Sequence, residues 1–163
     1  MNHSASSMGP PFQHAAAAVR VMLIREETPH YYPEISNSED VNRLSQDMLN
    51  LDREEFRVLL LNAKHKVLGV HTVSVGSLTV SIVHPREVFK AAILANAAAI
   101  IGVHNHPSGD PTPSPEDHAL TQRLAKAGSI LGIQLLDHVV IGQDAMYSFA
   151  DQGALSLTDA PMP

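Results

Sequence analysis

The sequence predicts an α/β (α+β) domain in which helices pack on a mixed β-sheet. Three observations point there. Apolar patterning along the chain reads helix, hairpin, helix, strand, helix, strands. Two helix starts carry a capping residue followed by proline, at His84-Pro85 and Ser114-Pro115. The chain has 163 residues, 44% hydrophobic and 17% charged, which suits one soluble domain able to bury a core.

Residues 1–18, rich in Ser, Ala, Pro and His, lack periodicity and are expected to form a disordered tail. The domain is expected over 19–155, with a second disordered tail over 156–163. Val19-Arg-Val-Met-Leu-Ile24 is apolar and β-branched, and predicts a short edge strand. Arg25 to Ile35 reads as loop, broken by Pro29 and Pro33. Ser36-Asn-Ser-Glu39 has capping-box form and predicts a helix to about Asn50, with Val41, Leu44 and Met48 on one face. Phe56–Leu61 and Val67–Val75 predict two strands of a hairpin joined by Asn62–Lys66, with Gly76 at a bulge or bend. His84-Pro-Arg-Glu87 opens a helix whose apolar stripe is Val88, Phe89, Ala92 and Ile93. Ala98–Val103 predicts a buried strand ending at His104. A loop with prolines at 107, 111, 113 and 115 leads to a helix from Pro115 to Gly128. Ile133–Leu136 and Val139–Ile141 predict one or two strands, and Ala145–Phe149 a last short one.

Composition removes several functional classes. There is no cysteine, so disulfides, thiol nucleophiles and cysteine-based zinc sites are excluded. The formal net charge is −6, opposite in sign to the usual nucleic-acid binder, although Lys64 with Lys66 and Arg86 with Lys90 form local basic pairs. No apolar run reaches the length of a membrane span, and no signal peptide is read at the N-terminus. A cytoplasmic location is expected, with no membrane partner. Oligomeric state is not legible, although an apolar N-terminal strand could pair across subunits.

The candidate site lies in His104-Asn-His-Pro-Ser-Gly-Asp-Pro-Thr-Pro-Ser-Pro-Glu-Asp117. On an extended chain, His104 and His106 face the same side, because strand side chains alternate. Two imidazoles so placed can chelate a divalent ion at about 2.0–2.1 Å. Asp117, just inside the next helix, can return a carboxylate as third ligand. Two His and one carboxylate leave a fourth position for water, the composition of a catalytic zinc site. The prolines stiffen the loop, and Gly109 permits a turn closed to other residues. A plainer account also exists. Ser114 can cap the helix, Pro115 fits its first position and Asp117 fits the acidic place of a capping box. Asn105 and Ser108 read as loop-shaping, His84 as a cap or loop residue, and His118 as pointing away from the site. His138 has no third ligand nearby in sequence and reads as a hydrogen-bonded structural residue.

The string His104-x-His106-Pro107, seven residues, then Ser114-x-x-Asp117 resembles the JAMM motif of the MPN/JAB metalloprotease superfamily. The wider chain resembles the bacterial RadC family, historically called DNA repair proteins. That likeness is carried by His84-Pro-Arg-Glu87, His104-Asn-His-Pro-Ser-Gly109, Pro113-Ser114, Asp117, Leu136-Asp-His138 and Tyr147-Ser-Phe149, over roughly residues 36 to 155. The resemblance implies an MPN/JAB-type mixed sheet flanked by helices, of cytidine-deaminase-like architecture. It implies zinc held by His104, His106 and Asp117, and an upstream glutamate acting on the attacking water. Glu54 and Glu55 are the candidates, and neighbouring strand residues face opposite sides, so only one reaches the metal. The family's Glu-x-apolar spacing matches Glu54 with Phe56. Ser114 is implied as a hydrogen-bond donor to the oxyanion or the attacking water.

The first expectation for function is therefore a zinc metallopeptidase acting on amide or isopeptide bonds of a protein or peptide. The alternative is a DNA-associated protein, supported by the family's traditional name alone. A scaffold with a vestigial site is a third reading, opposed by the occupancy of all four motif positions. A zinc nucleobase deaminase would need a Cys-x-x-Cys pair. The tripeptide His104-Asn105-His106 matches the name of the HNH nucleases only by coincidence, since their motif is dispersed.

Overall fold

The computed structural model describes residues 19–26, 31–76 and 83–155. The expectations for 1–18, 27–30 and 156–163 lie outside the described residues. Among the described residues, no helix is long and apolar enough to cross a membrane.

The elements, in chain order, are α1 (Ser38–Leu44), a 3-10 turn (Gln46–Asn50), β1 (Glu55–Leu61), β2 (Val67–Val75), α2 (Pro85–Leu94), β3 (Ala99–Asn105), α3 (Pro115–Leu131), β4 (Gln134–Ile141) and β5 (Met146–Ser148). The sheet is mixed, in the order β2-β1-β3-β4-β5. Only β3 and β4 run parallel, and α3 makes the crossover between them. An α/β domain with helices on a mixed sheet is thus present.

Each face of the sheet has its own apolar cluster. On one, Val58, Leu60, Ile100 and Leu135 meet Val88, Phe89 and Ala92 of α2 and Leu120 and Leu124 of α3. On the other, Leu59, Leu61, Ile101, Val103, Val139 and Ile141 meet Val41 and Met48. Strand β3 is buried over its whole length, as a strand covered on both faces must be. Its C-terminal end, under the first turn of α3, carries the site.

Several boundaries differ from expectation. Residues 19–24 form no strand. Only the end of the segment comes near β2, where Leu23–Glu26 and Leu68–Thr72 line one groove. An extended segment becomes a strand only when its backbone finds a ladder partner, and this one leaves Val19 and Ile24 largely exposed. The cap of α1 is Asn37, whose side chain accepts from Asp40 N–H. After Ser45 the chain takes 3-10 geometry, and Val41 and Met48 are buried while Leu44, at the end of α1, is exposed. In α2 the stripe uses Ala91, and Ile93 is exposed. Helix α3 passes through Gly128 and ends at Leu131, capped by Gly132 in the left-handed region. Gly128 answers a packing need: a Cβ there would lie 2.4 Å from the Ile133 carbonyl oxygen and 3.2 Å from Phe89. The two apolar runs after it form the single strand β4.

Candidate metal centre

Strand β3 delivers His104, fully buried, at its penultimate position. One residue past its end the chain is still held by His106 N–H to the Ile141 carbonyl, 3.0 Å, so His106 remains beside its neighbour strand. The two imidazoles face one another with Nε2 atoms 3.0 Å apart. The loop then turns at Gly109, where φ is +84°, and enters α3 at Ser114. Ser114 Oγ accepts from Asp117 N–H, and Asp117 Oδ2 accepts from Ser114 N–H at 2.7 Å and from Ser114 Oγ–H at 2.8 Å. This reciprocal box aims the carboxylate at the imidazoles. His104 Nε2 is 3.3 Å from Oδ1 and His106 Nε2 is 3.5 Å from Oδ2.

His104, His106 and Asp117 each offer one donor atom, all within 4.8 Å of one another. The closest approaches, 3.0 Å between the two rings, 3.3 Å from His104 to Oδ1 and 3.5 Å from His106 to Oδ2, are each near the separation of about 3.3 Å between ligand atoms that sit about 2.0–2.1 Å from a tetrahedral ion. His106 Nδ1 is 2.7 Å from the Asp110 carbonyl oxygen. A carbonyl only accepts, so Nδ1 of the neutral ring carries the proton and Nε2 presents a lone pair to the centre. The donor set therefore fits a divalent cation.

The electrostatics agree. Burial works to raise the Asp117 carboxyl, but hydrogen bonds from His104 and His106 when those rings are protonated, with the charge of His104 and the Ser114 N–H, prevail and hold it far below the usual carboxylate range. Burial pushes the His104 imidazole below its ordinary value, against Asp117. The Asp117 carboxylate raises His106, against its partial burial. Glu54 adds its negative charge to both imidazoles.

The two candidate glutamates part company. Phe56 pairs with His104 across β1 and β3, and continuing that antiparallel register two residues sets Glu54 opposite His106, on the site's face. Glu55 faces the other way, taking Arg57 Nε at 2.5 Å and Thr72 Oγ1 at 3.1 Å on its own Oε1. Asn105, which the sequence suggested was merely loop-shaping, reaches across. Its Oδ1 accepts from Glu55 N–H at 2.9 Å and its Nδ2 donates to the Arg53 carbonyl at 3.1 Å. The backbone on both sides of Glu54 is thereby tied to the residue between the two histidines.

Further residues join that sequence reasoning did not bring to the site. His138 is buried, with Nε2 2.8 Å from His104 Nδ1 and Nδ1 2.6 Å from Thr121 Oγ1. Thr121 Oγ1 in turn donates to the Asp117 carbonyl, 2.7 Å. Thr121 had a readable signal, since it follows Asp117 by four residues and shares its helix face. His138 lies in the Leu136-Asp-His138 segment that carries the resemblance and is hydrogen-bonded as expected, but a register shift decides its direction. Ile100 pairs with Leu135 but Ile101 with Asp137, so the bulge at Leu136 puts Leu135 and His138 on one face despite their odd spacing. His84 caps α2, accepting from Arg86 N–H, and His118 meets Phe149 edge-on.

A family model, the RadC-like JAB domain, matches residues 35–154. The chain belongs to the RadC-like JAB domain family. Its curated relatives include a UPF0758 protein of Caldanaerobacter subterraneus subsp. tengcongensis, 55% identical over 120 residues, which are 73% of this chain and 52% of that one. A UPF0758 protein of Shouchella clausii is 50% identical over 131 residues, 80% of this chain and 57% of its own. One from Bacillus pumilus is 48% identical over 141 residues, 86% of this chain and 63% of its own. The chain thus spans about half the length of the curated relatives it matches. The matched stretch of this RadC-like JAB domain contains every residue of the centre, from Glu54 to His138.

Proposed function

We propose that this RadC-like JAB domain is a zinc-dependent hydrolase that cleaves amide or isopeptide bonds in a protein or peptide. The observation that carries the proposal is the convergence of His104, His106 and Asp117, which each offer one donor atom within 4.8 Å of the others. Zinc held there would lower the pKa of a coordinated water and polarise the scissile carbonyl. The rest is done by side chains. Glu54, on the same face as both imidazoles and free of the ion pair that occupies Glu55, accepts a proton from the attacking water and delivers it to the leaving nitrogen. Ser114 donates to the oxygen that gains charge at the carbonyl. In the present structure its hydroxyl proton goes to Asp117, so that donation requires rotation about its Cβ–Oγ bond. The capping box survives the rotation, because Oγ still accepts from Asp117 N–H and Ser114 N–H still holds Asp117 Oδ2.

Two variants test the reading. Purified protein should carry about one zinc per chain by elemental analysis, and a His104→Ala/His106→Ala double variant none. Zinc content that is nil in the wild type, or unchanged in the double variant, overturns the metal assignment. Glu54→Gln should keep its zinc while losing hydrolysis of a peptide and isopeptide library. Full hydrolysis in that variant removes Glu54 as the base.

A further inference from the structure

We infer that His138 and Thr121 are positioning residues that set which ring nitrogen of His104 carries the proton, keeping the Nε2 that faces the metal site as a lone pair. The inference rests on the metal-site reading above. It follows from the order of protons along one hydrogen-bonded chain: Asp117 carbonyl, Thr121 hydroxyl, His138 ring, His104 ring.

The carbonyl of Asp117 has no proton to give, so Thr121 Oγ1, 2.7 Å away, donates to it. That commits the only hydroxyl proton of Thr121. Its oxygen must then accept from His138 Nδ1, 2.6 Å away, and His138 carries its proton on Nδ1. Nε2 of His138 is left as a lone pair and accepts from His104 Nδ1–H at 2.8 Å. A neutral His104 protonated at Nδ1 presents a bare Nε2 to His106 and Asp117. The opposite polarity, in which Thr121 turns its proton toward His138, ends with a proton on His104 Nε2, at the place where the cation binds. The chain therefore begins on the backbone of one ligand and ends on the ring of another, and only one of its two directions leaves the centre open.

The surroundings hold the chain in place. His104 and His138 are both 0% exposed and Thr121 is 1% exposed, so water does not substitute for any member. The His138 ring lies parallel to Phe149 at 5.0 Å between centroids and tilted against Phe56 at 5.4 Å. Beneath it is Gly102, where a Cβ would come within 3.3 Å of His138 Cδ2 and 3.0 Å of Phe56. The pocket is shaped for an imidazole, and no ion pair or catalytic role explains a second histidine there. Partners that orient a ligating histidine typically change metal affinity about 10–100-fold when removed.

The test combines tautomer assignment with zinc affinity and needs no substrate. In metal-free wild type, nitrogen-15 NMR of the histidine rings should show His104 and His138 both protonated at Nδ1. Zinc affinity, measured by competition with a chelator, should fall about 10–100-fold in Thr121→Val and His138→Phe, which keep the shapes and remove the hydrogen bonds. Thr121→Ser, which restores the hydroxyl, should return the affinity to near the wild-type value. A proton on Nε2 of His104 in the metal-free wild type overturns the inference, as does wild-type zinc affinity in folded Thr121→Val. If His138→Phe fails to fold, Thr121→Val against Thr121→Ser and the wild-type spectrum still decide it. Failure of the wild type to bind zinc at all would instead sink the proposed function, whatever the tautomers.

Discussion

Two helices of this domain begin with the same grammar and end up in different chemistry. Helix α2 opens His84-Pro85-Arg86-Glu87 and α3 opens Ser114-Pro115-Glu116-Asp117: a capping side chain, proline at the first position, and an acid at the third. Glu87 points to solvent and pairs with Lys90 at 2.6 Å, and Lys90 holds its carboxyl below the ordinary value. Asp117 is buried against two imidazoles. Nothing in the four residues separates the cases. What differs is the preceding element. Helix α3 enters directly from the loop that leaves β3, so its first turn is laid over the strand end that carries His104. A carboxylate already required by the cap thereby becomes the third donor. The comparison teaches that capping and metal binding are compatible readings of Asp117, since its two oxygens divide the work unequally: Oδ1 faces His104, while Oδ2 is held by Ser114 and also lies 3.5 Å from His106 Nε2.

That division can be broken in steps. The largest effect is expected from Asp117→Ala, which removes cap partner and ligand together. Zinc affinity should fall at least about 100-fold, and stability by about 1 kcal/mol from the lost cap. Asp117→Asn is the sharper variant, because its amide oxygen can still accept from Ser114 N–H. Calorimetry near neutral pH should show a smaller fall in melting temperature than in Asp117→Ala, beside the same loss of zinc. Equal loss of stability in both variants would mean that the charge, and not the cap, anchors the helix start.

Acid unfolding of the metal-free protein comes next. The Asp117 carboxyl has its folded-state pKa far below the unfolded value of about 3.9, so its ionised form stabilises the fold. That contribution is fully present above the unfolded pKa and is lost as pH falls below about 4. Asp117→Asn should therefore flatten the acid limb of the stability curve, while Glu87→Gln leaves it as it was. Ser114→Ala should cost about 1 kcal/mol by denaturant unfolding and weaken zinc only modestly, since Asp117 keeps its bond from Ser114 N–H. The smallest effect belongs to Glu87→Gln itself, which should match the wild type in both zinc content and melting temperature, its ion pair being exposed. A measurable loss of zinc there would end the contrast between the two helix starts.

Local chemistry was legible where its signal is local. The hairpin of β1 and β2, the proline-led starts of both later helices and the gathering of donor types between His104 and Asp117 all follow from spacing within a few residues. Helix ends were less legible, because Gly128 reads as a terminator until the Ile133 carbonyl packed against it is seen. The segment 19–24 has strand composition, but composition does not supply a ladder partner.

By itself, then, the sequence determined the α/β class, the residues able to hold a cation and the rigid loop joining them. Alternation along a strand and the first turn of a helix are short-range constraints, and they need no knowledge of the rest of the chain. The family resemblance points to Glu54; the tertiary structure adds the register that sets it opposite His106, and alone decided which histidine supports the centre. Glu54 is separated from Glu55 by the Arg57 pair and by Asn105, 50 residues downstream of Glu55. His138, 34 residues beyond His104, reaches it because one bulged residue in β4 reverses the parity of the strand. Such contacts depend on register between distant segments, and a shift of one residue turns every side chain to the other face.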